Sequence, residues 1–167
     1  MVIDPGLYKV EERWDLQAMQ ALMRNDDIYW SASDALAPQP AEADFSERLL
    51  HPHTSTVAAY YGPHVVGYVQ FIKRTTIMAE VHVGFLKPFR GKFAKATFEW
   101  SIYRAFTEKG LTKLLGLIAA DNRAAIMFAR RAGFRLEGRL TAAIIRKEPP
   151  HVRDMLVFSL NKNGDYH

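Results

Sequence analysis

The sequence predicts a single α/β (α+β) domain, and three observations predict it. Ala79, Val81, Val83 and Phe85 alternate with Glu80, His82 and Gly84, the two-residue period of a strand with one apolar face. On either side of a second apolar run, Leu111 to Ile118, apolar residues recur at helical spacing: Ala94, Phe98, Ile102 and Ala105 before it, Ala125, Phe128, Ala129 and Ala132 after it. Upstream, Thr54–Tyr61 and His64–Arg74 flank a Gly62-Pro63 turn and read as a β-hairpin.

At 167 residues the chain is most simply one domain, 1–167, large enough to bury a core. A hydrophobic content of 49% and a charged content of 24% are ordinary globular values, which argue against a disordered or fibrous chain. No apolar run is long enough to span a membrane, and Met1–Tyr8 does not read as a signal peptide, so a cytoplasmic location is expected. Without cysteine there is no disulfide frame, no thiolate nucleophile and no thiolate metal site. The net charge of +4 suits an anionic small molecule as well as it suits weak nucleic-acid binding. Charge decides neither, and nothing else in the sequence speaks for nucleic acid.

Taken in order, Tyr8–Glu12 reads as a first strand. A helix follows from Trp14, with Leu16, Met19, Leu22 and Met23 on its apolar face and Asp15 near its start. Ser31–Ala43 carries Pro38 and Pro40 and reads as an irregular connection. Asp44 or Ser46 is placed to cap a short helix through Leu50. Gly67 within the hairpin marks a bulge or a close backbone approach. The next strand spans Thr76–Leu86, and the helix from Lys92 ends at Lys109-Gly110. Asn122, or Asp121 before it, caps the following helix, and Gly133 stands where a left-handed C-terminal residue belongs. Thr141–Arg146 and Arg153–Leu160 read as closing antiparallel strands joined through Glu148-Pro149-Pro150-His151, with a polar tail from Asn161 to His167. An edge strand near the C-terminus is a candidate for pairing in a homodimer.

The chemistry concentrates between Ala79 and Gly138. Glu80 and His82 share one face of their strand, roughly 7 Å apart at about 3.3–3.4 Å per residue. Pro88-Phe89-Arg90-Gly91 then breaks the chain, and the basic turn of Lys87, Arg90 and Lys92 leads into a helix. The start of a helix offers unpaired N–H groups and the positive end of its dipole, so strand, basic turn and helix together suggest a phosphate cradle. His51, His53 and His64 lack any metal-ligand spacing, and no serine has Ser-His-Asp companions; no metal site is expected.

Asn122-x-x-Ala125, then Gly133-Phe134 followed by Arg135-Leu136-Glu137-Gly138, resembles the closing motif of the GNAT superfamily of acyl-CoA-dependent N-acetyltransferases. Pro88-Phe89-Arg90-Gly91-Lys92 resembles that family's pyrophosphate-binding turn, and the likeness runs from about Thr54 to Leu160. It implies a six- to seven-stranded, mostly antiparallel sheet splayed between the fourth and fifth strands, with helices on both faces. It implies direct acetyl transfer from acetyl-CoA to a primary amine of a small molecule or protein, with no covalent intermediate and no metal. By position, Val83, Gly84, Phe85 and Leu86 would pair with the pantetheine amides. The backbone of Arg90, Gly91, Lys92, Phe93 and Ala94, with the Arg90 and Lys92 charges, would hold the pyrophosphate. Asn122 and Phe128 would meet the cofactor arm. Glu80 would be the general base, its pKa raised by burial, with His82 the second candidate. Residues 14–50 would form the acceptor side, where Tyr29, Trp30 and Phe45 could line the wall, although core or lid packing is the favoured reading.

The departures are specific. Phe93 and Lys95 occupy places where the family usually carries glycines that admit the phosphates. Ala129 stands where many members carry a tyrosine that protonates the leaving thiolate, although branches resembling the ribosomal-protein N-terminal acetyltransferases also lack it. Glu80-x-His82, the glycine-poor turn and Asn122-Arg123-Ala124-Ala125 together also resemble GNAT-like proteins encoded by bacteriophages, which would imply a virion-associated or host-directed protein. The alternative reading is therefore a non-catalytic module of the same fold.

Overall fold

One seven-stranded sheet organises the chain, in the order β1-β2-β3-β4-β5-β7-β6. The computed structural model describes residues 4–163. The polar tail expected beyond Asn161 thus lies partly outside the described residues, as does the start of the Met1–Tyr8 segment. The strands are β1 (Tyr8–Glu11), β2 (Thr54–Tyr61), β3 (His64–Lys73), β4 (Met78–Phe85), β5 (Lys113–Ala119), β6 (Arg135–Ile145) and β7 (Val152–Asn161). The helices are α1 (Leu16–Met23), α2 (Asp26–Ala32), α3 (Ser46–Leu50), α4 (Lys92–Thr107) and α5 (Arg123–Arg131).

Every neighbouring pair of strands is antiparallel except β4 and β5, which run parallel. That parallel pairing covers only Met78↔Lys113, Ala79↔Leu114 and Glu80↔Leu115. Beyond Glu80 the register ends, while β4 continues to Phe85 and β5 to Ala119. The sheet therefore opens as a V between its fourth and fifth strands, as the sequence implied. Because β4 leads into α4 and β5 into α5, both helices begin at the open end of the V.

The apolar pattern assigns the two faces. Ala79, Phe85, Leu114 and Phe158 pack with Phe93, Phe98 and Ala105 of α4 and Ala129 of α5. Ala58 and Tyr68 pack on the opposite face with Met19, Leu22 and Met23 of α1, Ile28 of α2 and Leu49 of α3. Helices thus cover both faces. α2 was not read from the sequence, and its end takes in Ser31 and Ala32 of the expected irregular connection; its seven residues are capped by the Asn25 side chain, which accepts from Asp27 N–H. The short helix α3 follows Asp44, whose carboxylate accepts from both the backbone and hydroxyl of Ser46.

Gly67 meets both expectations. The β2–β3 register shifts at Ala59/Tyr60, so Val66 is an extra residue in β3. A Cβ on Gly67 would also lie 2.1 Å from Cδ1 of the buried Phe85 ring. Phe85 cannot retreat without disturbing the end of β4. Gly67→Val is therefore expected to destabilise by roughly 1–3 kcal/mol, lowering Tm by about 2–4 °C per kcal/mol; an unchanged melting temperature would contradict this packing.

Candidate active site

The open end of the V brings together the end of β4, the turn after it and two helix N-termini. Leu86 N–H donates to Val66 C=O of β3 at 2.9 Å. Strand alternation then turns the backbone of Gly84 toward β3 as well, and the backbone groups of Val83 and Phe85 toward the gap. Of the four residues expected to pair with an incoming amide arm, Val83 and Phe85 face the opening; Gly84 and Leu86 are engaged within the sheet. Gly84 has another role. A Cβ there would lie 2.5 Å from the Tyr68 ring and 2.8 Å from Ile28, so glycine lets α2 sit directly on β4.

Gly91 holds φ +83° at the start of α4, a conformation that glycine adopts without strain. The first intrahelical bond runs from Lys95 N–H to Gly91 C=O at 2.9 Å, which leaves the N–H groups of Lys92, Phe93 and Ala94 without helical acceptors. No acidic residue lies in the first turn of α4 or of α5 to offset the dipoles. Arg90 is exposed, and its Nε donates to Phe85 C=O at 3.0 Å, which fixes the guanidinium beside the gap. Lys92 lies over the Phe93 ring, 5.0 Å from its centre. Lys87 pairs with Asp27 of α2 at 3.0 Å.

The two residues in place of glycine leave this cradle open. The Phe93 ring is buried among Tyr8, 4.6 Å away, and Phe89, 6.4 Å away. Lys95 extends along the outside of α4 to pair with Glu99. Neither side chain covers the helix mouth, so the backbone cradle fits a pyrophosphate. Asn122 caps α5, accepting from Ala125 N–H at 3.1 Å, while its Nδ2 donates to Ser31 C=O at 3.3 Å. Phe128 packs against Phe98, with ring centres 5.1 Å apart, as part of the core.

On the other face of β4, Glu80 is buried. Arg74 Nε donates to its Oε2 at 3.0 Å, and His82 Nε2 lies 2.9 Å from its Oε1. The expectation that burial lifts this carboxyl toward working pH is reversed. The neighbouring His82 imidazole, and after it Arg74, outweigh desolvation and hold the Glu80 pKa at about 2. Glu80 is a fixed anion near neutral pH. His82 turns its buried Nε2 toward that anion, which leaves Nδ1 as the nitrogen able to take a proton.

A second cluster lies at the end of β5, and sequence reasoning missed it. Arg146, just past β6, donates to the carbonyls of Ser33 (2.9 Å), Trp30 (3.1 Å) and Ser31 (3.2 Å). Ile145 N–H donates to the Asp34 carboxylate at 2.8 Å, and its C=O accepts from Ala35 N–H at 2.8 Å. Arg146, Ser31, Ser33 and Ala35, together with Asp121 and Asn122, border an open cleft of about 420 Å³. Trp30 lines it beneath the Lys147 ammonium, 3.5 Å from the ring centre. Tyr29 is buried, its hydroxyl donating to Pro38 C=O, and Phe45 packs edge-on against it, so of the three aromatic residues only Trp30 borders the cleft. The signal for Arg146 was faint, a lone arginine at a strand end.

Residues 20–134 match the acetyltransferase (GNAT) family, well over half of the chain. The chain belongs to that family. No curated protein matches this GNAT chain. Among solved structures, the spermidine N-acetyltransferase of Vibrio cholerae in complex with CoA and spermine is similar, at 17% identity and a TM-score of 0.76, over 95% of this chain and 97% of that one. An N-acetyltransferase from Staphylococcus aureus Mu50 is similar at 20% identity and a TM-score of 0.74, over 92% and 98%. The protein smu.2055 of Streptococcus mutans UA159 is similar at 19% identity and a TM-score of 0.76, over 92% and 98%. Identities this low extend the likeness to the GNAT fold alone. Among the described residues no cluster of three potential metal ligands occurs, and no helix is long and apolar enough to cross a membrane.

The Glu80 ion pairs have a pH signature. A carboxyl depressed from 4.5 to about 2 stabilises the fold fully above about pH 4.5, and that contribution is lost as pH falls toward 2. Between about pH 6 and pH 3 the wild type should lose on the order of 2 kcal/mol more unfolding free energy than Glu80→Gln. Equal losses in urea titrations of the two proteins would show that Glu80 is not held in this way.

Proposed function

We propose that the protein is an N-acetyltransferase that passes an acetyl group from acetyl-CoA to a primary amine of a small molecule or protein. The observation that carries this reading is the open V with its backbone cradle: Val83 and Phe85 facing the gap, and the free N–H groups of Lys92, Phe93 and Ala94 beside Arg90. Bound there, acetyl-CoA supplies an activated thioester carbonyl. The chain's own residues then have three tasks. The gap-facing backbone of β4 orients the arm, and the α4 N-terminus with Arg90 binds the diphosphate. His82 Nδ1 removes the proton that the attacking amine must shed, while Glu80 fixes the ring and stabilises the imidazolium that forms. Glu80 is a positioning residue in this scheme, and His82 takes first place as base. Asn122 ties the mouth of the V to α2 through Ser31.

The acceptor enters on the Glu80–His82 face, opposite α4. Amines to screen include polyamines, since a neighbour in fold is a spermidine N-acetyltransferase.

A second reading, a CoA-binding module without turnover, is favoured by one feature. Ala129 is buried in the core at the place where a hydroxyl would serve the leaving thiolate. The two readings separate in one set of measurements. Acetyl-CoA at about 100 times its Kd should stabilise the protein by roughly 2.7 kcal/mol, a shift of several degrees that Arg90→Glu abolishes. His82→Gln should keep that shift and lower kcat by about 10²- to 10⁴-fold. A cofactor-dependent shift without acetylation of any amine would leave the binding module; a flat response would refute both.

A further inference from the structure

Beside His82 lies a group that the scheme above does not use. Gln70 is fully buried and directly opposite His82 across the β3–β4 ladder, so the two side chains share a face, with Cβ atoms about 4.5–5.5 Å apart. The Gln70 amide is fixed at both ends. Its Nε2 donates to the buried Thr56 hydroxyl at 2.9 Å, and its Oε1 accepts from Arg48 Nε at 2.6 Å. Arg48, on α3, is half-buried, stacks over Phe45 at 5.7 Å and lies beside the buried Tyr68 hydroxyl.

Everything that holds Arg48 is neutral. Among the described residues no carboxylate lies within ion-pair distance of it, and it is not among the charges acting on Glu80. On the shared face of β3 and β4, Arg48 and Arg74 thus stand beside Glu80, a carboxylate that Arg74 and His82 already engage. A half-buried guanidinium without a counter-ion is costly, and a fixed one presents its remaining N–H groups as a fork for a planar anion. Across β4 from Gln70, the β5 strand presents apolar side chains on the same face. Leu115 is the neighbour of Glu80 across the parallel ladder, and the exposed Leu117 follows on the same face, opposite Val157.

We infer that the acceptor is an amino carboxylate, its amine directed at His82 and its carboxylate held by Arg48, rather than a polycation. This rests on the acetyltransferase reading for the role of His82, but its test does not require turnover. The probes are L-leucine, L-leucinamide and spermidine, titrated to about 10 mM against wild type and Arg48→Gln by thermal shift and by NMR of the protein amides, with and without CoA. L-leucine should bind at least roughly tenfold more tightly than the other two, as expected for one charge-assisted bidentate contact. Arg48→Gln should erase that preference while retaining its fold and its response to acetyl-CoA. Equal or tighter binding of leucinamide or spermidine overturns the inference, as does absence of any L-leucine response or a preference that survives Arg48→Gln. A flat acetyl-CoA titration, by contrast, refutes the acetyltransferase reading and leaves the anion site to stand or fall on these titrations. If Arg48→Gln unfolds, Arg48→Lys keeps the charge but loses the fork, and it should weaken L-leucine selectively.

Discussion

Three residue pairs hold the two halves of this protein in one sheet and then let them part. β4 and β5 are joined only from Met78 to Glu80, and each continues for several residues without the other. The strand backbone that β5 leaves unpaired at Val83 and Phe85, apart from the Phe85 C=O that Arg90 holds, would be a liability at an ordinary strand edge. Here it faces a gap whose rim is built from the N-termini of α4 and α5, so a row of unmet hydrogen-bonding groups opens between two positive dipole ends. The chemistry described above depends on that parting. A longer ladder would close the gap and bury the cradle.

The opposite face of β4 works by a different balance. There burial alone would neutralise Glu80, yet the hydrogen bond with His82 and the Arg74 guanidinium keep it charged, and the charge in turn orients His82. One strand further, Gln70, itself fixed by Thr56, holds Arg48 with a neutral hydrogen bond. The two sides of one strand thus divide the work: amide backbone and helix dipoles on one side, fixed side-chain charges on the other. α2 bridges them at the mouth through Lys87–Asp27, Ser31–Asn122 and the carbonyls gathered by Arg146.

Much of this was legible in the sequence because it is written in local periods and turn residues. The alternation from Ala79 to Phe85, Gly91 and Gly133 at their turns, and Asn122 as a cap all gave elements within one or two residues of those observed. The family likeness supplied what periodicity cannot, the order of strands and the splay. What failed was long-range. The Glu80 carboxyl is held down first by His82, whose place on the same strand face was legible, and then by Arg74, six residues away around a hairpin turn, a contact that no pattern announces. Arg146 and Arg48 act on partners over a hundred and over twenty residues away, respectively. The Phe93 substitution looked obstructive as a letter, but its ring turns into the core and clears the mouth.

The central claim is that the gap beyond Glu80 receives the cofactor arm. Amide hydrogen exchange with and without CoA tests it most directly. Protection should appear in residues 81–86 and in the first turn of α4, 90–94, and should be absent from β1 and β2. Protection that spares β4 and the α4 N-terminus would contradict the account, whatever the thermal response.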